Sequence, residues 1–82
     1  AEDALGRWLE ESCDKNPSAT TTTNELFASW KIWSERGGEF VGTLRKFSED
    51  VSKRGFARWK SGSRKGFKGI ALKDQEVQEP ML

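Results

Sequence analysis

Apolar residues recur at helical spacing from the start of the chain. Leu5, Trp8, Leu9 and Cys13 fall three, one and four residues apart, which predicts an amphipathic helix over residues 3–13 with Asp3 in its first turn. The polar cluster Asp14-Lys15-Asn16-Pro17-Ser18 is expected to end it in a turn, because Pro17 pushes Asn16 away from helical backbone. Threonine-rich residues 19–23 favour extended backbone and leave room for a very short strand at 19–21. Thr22-Thr23-Asn24-Glu25 then has the Thr-x-x-Glu form of a capping box and opens a second helix. Its wide apolar face is Leu26, Phe27, Trp30, Ile32 and Trp33, with Lys31, Glu35 and Arg36 largely opposite, and Gly37-Gly38 closes it.

Residues 39–42 read as a turn that keeps Phe40 packed inward, and Thr43 as the N-cap of a third helix running to about Arg54. Leu44, Phe47 and Val51 form its expected buried stripe, while Arg45, Lys46, Glu49, Asp50 and Lys53 face outward. Gly55 stops it. Phe56-Ala57-Arg58-Trp59-Lys60 alternates apolar and basic, the period of a half-buried strand. Ser61-Gly62-Ser63 is a turn, and Phe67, Ile70 and Leu72 mark a returning strand eased by Gly66 and Gly69, so the two runs form a hairpin. The remaining polar residues lack periodicity. We therefore expect one domain over 1–73 and a flexible tail over 74–82.

Composition narrows the class. At 82 residues the chain is one small domain, and its four Trp and five Phe supply the large apolar surface that a 34% apolar content would otherwise leave short. One cysteine, Cys13, excludes an internal disulfide framework, and with no His a zinc site of the usual ligands has no support. No apolar run approaches the ~20 residues of a membrane span, and no secretory signal opens the chain, so an intracellular protein is expected. Because the chain opens on Ala1 with no Met, we expect a piece of a longer protein.

Charge changes the picture more. Residues 40–73 hold ten Lys/Arg against Glu49 and Asp50, a net of +8. Residues 1–39 carry −4 and residues 74–82 carry −3, which leaves the +1 of the whole chain. A nearly neutral protein thus contains a strongly basic half, the electrostatic footprint of a polyanion-binding surface.

Three helices followed by a hairpin are the parts of a winged helix-turn-helix, an α+β fold in which the third helix enters the major groove and the hairpin touches backbone. On that reading the DNA-binding residues are Thr43, Arg45 and Lys46 at the start of the third helix, with Lys53, Arg58, Lys60, Arg64, Lys65 and Lys68 as mainly phosphate contacts. Lys65-Gly66-Phe67 and Gly66-Phe67-Lys68-Gly69 echo RNA-binding signatures, but they lie in a strand-like run and read as glycines easing bends. Trp8, Trp30 and Trp33 fall at helical spacing and are core residues. Trp59 interleaves with Arg58 and Lys60 in the manner of a base-stacking ring, and is nevertheless also read as core. Catalysis has no support: there is no His, no phosphate-binding GxxxxGK[ST] loop, and the adjacent pairs Glu10-Glu11 and Glu49-Asp50 diverge on a helix. No catalytic residue, metal, cofactor or small-molecule substrate is assigned.

Four pieces, in order, resemble the C-terminal domain of phage and plasmid primase/helicases, the group that includes the poxvirus-type primase-helicases. They are Trp8-Leu9-Glu10-Glu11-Ser12-Cys13, the helix Glu25-Leu26-Phe27-Ala28-Ser29-Trp30-Lys31-Ile32-Trp33, the junction Arg54-Gly55-Phe56, and Lys68-Gly69-Ile70-Ala71-Leu72. The resemblance implies a winged-helix module that binds DNA for replication in the cytoplasm of a bacterial cell, non-enzymatic by itself. It further implies that the parent protein's primase and helicase domains are its partners. Acidic Glu49-Asp50 departs from the more basic third helix of that group. Two alternatives stand beside this reading: a protein-interaction winged helix that docks the helicase ring or another replication protein, and a small transcription regulator.

Overall fold

Short-range polar contacts set the helix bounds in the computed structural model, which describes residues 3–73. The carboxylate of Asp3 accepts from the Gly6 amide at 3.2 Å and caps α1 (Ala4–Ser12). Cys13 is already extended, at φ −132° and ψ 155°, so α1 ends there and not at Asn16-Pro17. The chain passes directly into β1 (Cys13–Thr22). Thr22 and Glu25 then form the expected reciprocal box: Thr22 Oγ1 accepts from the Glu25 amide at 3.2 Å, and Glu25 Oε1 from the Thr22 amide at 3.3 Å. This opens α2 (Thr23–Gly37), which closes on Gly38 in the left-handed region at φ 73°. Thr43 Oγ1 accepts from the Lys46 amide at 3.2 Å and caps α3 (Leu44–Lys53). After Gly55 come β2 (Ala57–Ser61) and β3 (Arg64–Leu72).

The architecture is α+β: three helices and one antiparallel sheet with strand order β1-β3-β2. β1 is ten residues long, where only residues 19–21 were expected. Its pairing with β3 runs Cys13–Leu72 to Lys15–Ile70, breaks, and resumes from Thr20–Lys68 to Thr22–Gly66. The break is the anticipated turn: residues 16–19 loop out against Gly69 alone, the Ser18 amide bonds Asn16 Oδ1 at 3.0 Å, and Gly69 takes φ 91°. The turn chemistry of Asn16-Pro17 is therefore expressed as an interruption inside a strand. Buried Thr21 spans it, donating from Oγ1 to the Ile70 carbonyl at 2.8 Å.

The core lies between the helices and one face of the sheet. Trp8 of α1, Leu26 and Trp30 of α2, Phe47 and Val51 of α3, and Phe67, Ile70 and Leu72 of β3 are buried together with Cys13. Trp8 meets Phe47 and Trp30 edge-on at 5.5 and 6.0 Å, and Trp30 stacks on Trp33 at 5.6 Å. Each of these indoles also satisfies its N–H: Trp8 on Ser29 Oγ, Trp30 on the Val41 carbonyl and Trp33 on Glu11 Oε1. Arg54, the C-cap of α3, pairs with Asp3. That hydrogen bond, with the Gly6 amide second, holds the Asp3 carboxyl below its usual value.

Four apolar expectations are corrected. Phe40 is 88% exposed; Val41 packs against the core in its place, its carbonyl held by Trp30. Ile32 is 52% exposed because the buried line of α2 is Leu26, Trp30 and Ser34, four residues apart each time. Leu44 is 40% exposed, at the start of α3 where the helix edge faces a groove. Trp59 does not pack against the core cluster. The inward place on its strand pair is taken by Phe67 with Arg58 above it. The tail expected over 74–82 lies outside the described residues.

Candidate nucleic-acid interface

A groove of about 830 Å³ runs between the N-terminus of α2, one flank of α3 and the paired strands β2 and β3. β2 and β3 are joined through Gly62-Ser63, with Gly62 at φ 61° and Ser61 opposite Arg64. This tight connection holds Arg58, Lys60, Arg64 and Lys65 along one wall. Leu44, Arg45, Ser48 and Glu49 of α3 form the other, and Thr22, Thr23 and Asn24 close one end. Among the described residues the lining thus carries five cations against the single carboxylate of Glu49. The first amides of α2 add the positive end of a helix dipole.

Several contacts order the walls. Arg58 lies over the Phe67 ring, 5.5 Å from its centroid, and its guanidinium donates to Ser48 Oγ at 3.4 Å, which ties β2 to α3. Thr23 Oγ1 donates to the Lys65 carbonyl at 3.4 Å and ties α2 to β3. Gly66 permits the strands to sit this close. A Cβ there would lie 2.0 Å from the Thr21 carbonyl oxygen and 2.6 Å from the Thr22 Cα. No family model matches the chain, and no curated relative matches it.

The groove gathers Arg45, Arg58, Lys60, Arg64 and Lys65 of the residues singled out from sequence. It does not gather the other four. Thr43 is occupied as the α3 cap, and Lys46 and Lys53 do not line the groove. Lys68 lies further along β3, opposite Ala57 and Thr20. On α3, Arg45 pairs with Glu49 at 3.6 Å and Lys46 with Asp50 at 3.3 Å, each one turn apart. Exposed pairs of this kind add little stability, yet they cancel charge locally, so α3 is much less basic than its cation count implies.

Sequence reasoning missed the α2 end of the groove. Thr22, Thr23 and Asn24 read as a capping signal only, and nothing local indicates that the same helix end opens between two basic strands and α3. Among the described residues, no cluster of His, Cys, Asp or Glu is placed to hold a metal ion, and no helix is long and apolar enough to cross a membrane.

Proposed function

We propose that the chain is a winged-helix DNA-binding module, of the kind that phage and plasmid replication primase/helicases carry at their C-terminus. The observation that carries this reading is the convergence of five cations from α3, β2 and β3 on a groove closed by a helix N-terminus. The element order supports it: α2 and α3, joined by residues 38–43, act as the helix-turn-helix, and the β2–β3 pair acts as the wing. Because Arg45 and Lys46 are paired within α3, the wing provides most phosphate contacts. ATP-driven and primer-forming chemistry belongs, on this reading, to other domains of the parent protein, which are also the module's protein partners.

Changing Arg64 and Lys65 together to Ala tests the wing. The double variant should lower the slope of log affinity against log salt by roughly one to two units on duplex DNA, since each lost phosphate contact releases one counterion fewer. A slope equal to that of the unaltered protein removes the wing from the DNA site. Weak DNA affinity at low salt, together with binding to isolated helicase domains, would replace DNA binding by protein docking.

A further inference from the structure

We infer that the ligand of this surface carries an unpaired base, and that Trp59 is the residue that stacks on it. This rests on the DNA-binding reading above and names its substrate class. The register of β2 and β3 pairs Arg58 with Phe67, Trp59 with Gly66, Lys60 with Lys65 and Ser61 with Arg64. Residues directly opposite share a face, and successive residues alternate. Phe67 is fully buried beneath Arg58, so Arg58, Lys60 and Lys65 stand on the side of α3. Trp59 stands on the outer side, opposite a residue with no side chain. Two residues along β3 in either direction from Gly66 are Arg64 and Lys68, which therefore flank Trp59 on the same face. Thr20 and Thr22 of β1 continue that face.

Trp59 differs from the other three tryptophans in what holds it. Trp8, Trp30 and Trp33 each contact another aromatic ring and each donate their indole N–H. Among the described residues Trp59 has neither kind of partner and is outside the core cluster, while remaining only half-buried at the rim of the groove. A half-buried indole with no ring or hydrogen-bond partner, flanked along its strand face by Arg64 and Lys68, supplies a π-face for a base and cations for the phosphates on either side. In a duplex both faces of every internal base are covered by its neighbours, so this ring gains nothing from intact double helix. The helix that would read a duplex carries Glu49 on its groove flank and has its first cations neutralised by Glu49 and Asp50. The free charge and the free ring are both on the strands, and an unpaired strand uses both.

The test compares a labelled oligothymidylate with an abasic strand of the same length and charge, by anisotropy, for the full chain and for Trp59→Ala and Trp59→Phe. Stacking on one ring should make the oligothymidylate bind roughly five- to 150-fold tighter than the abasic strand. Trp59→Ala should lose that ratio while keeping its salt dependence, and Trp59→Phe should keep most of it. Circular dichroism of the variants confirms that the fold persists. Equal binding of the two strands by the unaltered protein, or an unchanged ratio in Trp59→Ala, overturns the inference while leaving duplex binding as a separate result. No binding to any strand or duplex at low salt overturns the DNA-binding reading itself.

Discussion

Gly66 stands opposite Thr22 where β3 lies close against β1, and its missing side chain is a structural requirement. A Cβ at this position would meet three backbone atoms of β1, none of which can rotate aside. Gly66→Ala must therefore part the two strands, and we expect it to cost about 3 kcal/mol or more, the upper end for an overpacked site. Urea denaturation reads this directly, and a loss below about 0.5 kcal/mol, the range of a neutral surface change, would contradict the close approach. Ser34 predicts the opposite sign. Its hydroxyl is buried on α2 and has no hydrogen-bond partner among the described residues, so it contributes the cost of desolvation without a bond in return. Ser34→Ala removes the hydroxyl and raises helix propensity, and should stabilise the protein by about 1 kcal/mol in the same experiment. Destabilisation would mean that the hydroxyl does find a partner in solution.

At the scale of elements, α3 is amphipathic in charge as well as in hydrophobicity. Phe47 and Val51 anchor it, while Glu49 brings the only carboxylate among the described residues into an otherwise cationic groove and pairs with Arg45. Glu49→Gln should therefore raise DNA affinity roughly three- to fivefold at low salt, an effect that fades as added salt screens the pair. A fall in affinity confined to sites bearing cytosine would instead mark Glu49 as a base-reading acceptor. The elements themselves divide by the range of the forces that form them. α2 and α3 were legible because their signals are local: the Thr22–Glu25 box, Thr43 as cap, and Gly38 and Gly55 as stops. β1 was legible only as a short strand at 19–21, because its partner β3 lies at the far end of the chain and the Asn16-Pro17 signal for a turn hid the rest of an interrupted strand. The place of Trp59 depends on which face of the β2–β3 pair is covered by the core. Alternation showed that it faces away from Arg58, but only pairing with β3 shows which of those two faces is the core.

At the scale of the molecule, five of the ten cations in the basic stretch, Arg58, Lys60, Arg64, Lys65 and Lys68, lie on β2 and β3, divided between the two faces of that strand pair. By register Arg58, Lys60 and Lys65 share the face toward α3, while Trp59, Arg64 and Lys68 share the other, from which Trp59 and Arg64 reach the rim of the groove. The acidic excess of residues 1–39 adds no charged group to this groove: the α2 end contributes only Thr22, Thr23 and Asn24. On the proposed DNA-binding reading, such segregation favours a ligand approached from one side, with its phosphates drawn to the strands. The most direct measurement is an anisotropy titration of labelled duplex and single-stranded DNA across a series of salt concentrations. With the four strand cations of the groove, Arg58, Lys60, Arg64 and Lys65, engaged, affinity for the single strand should fall with salt at a slope of about −3, at roughly 0.7 per phosphate contact. Absence of binding to both forms at low salt, or binding with no salt dependence, would contradict a nucleic-acid role for the groove.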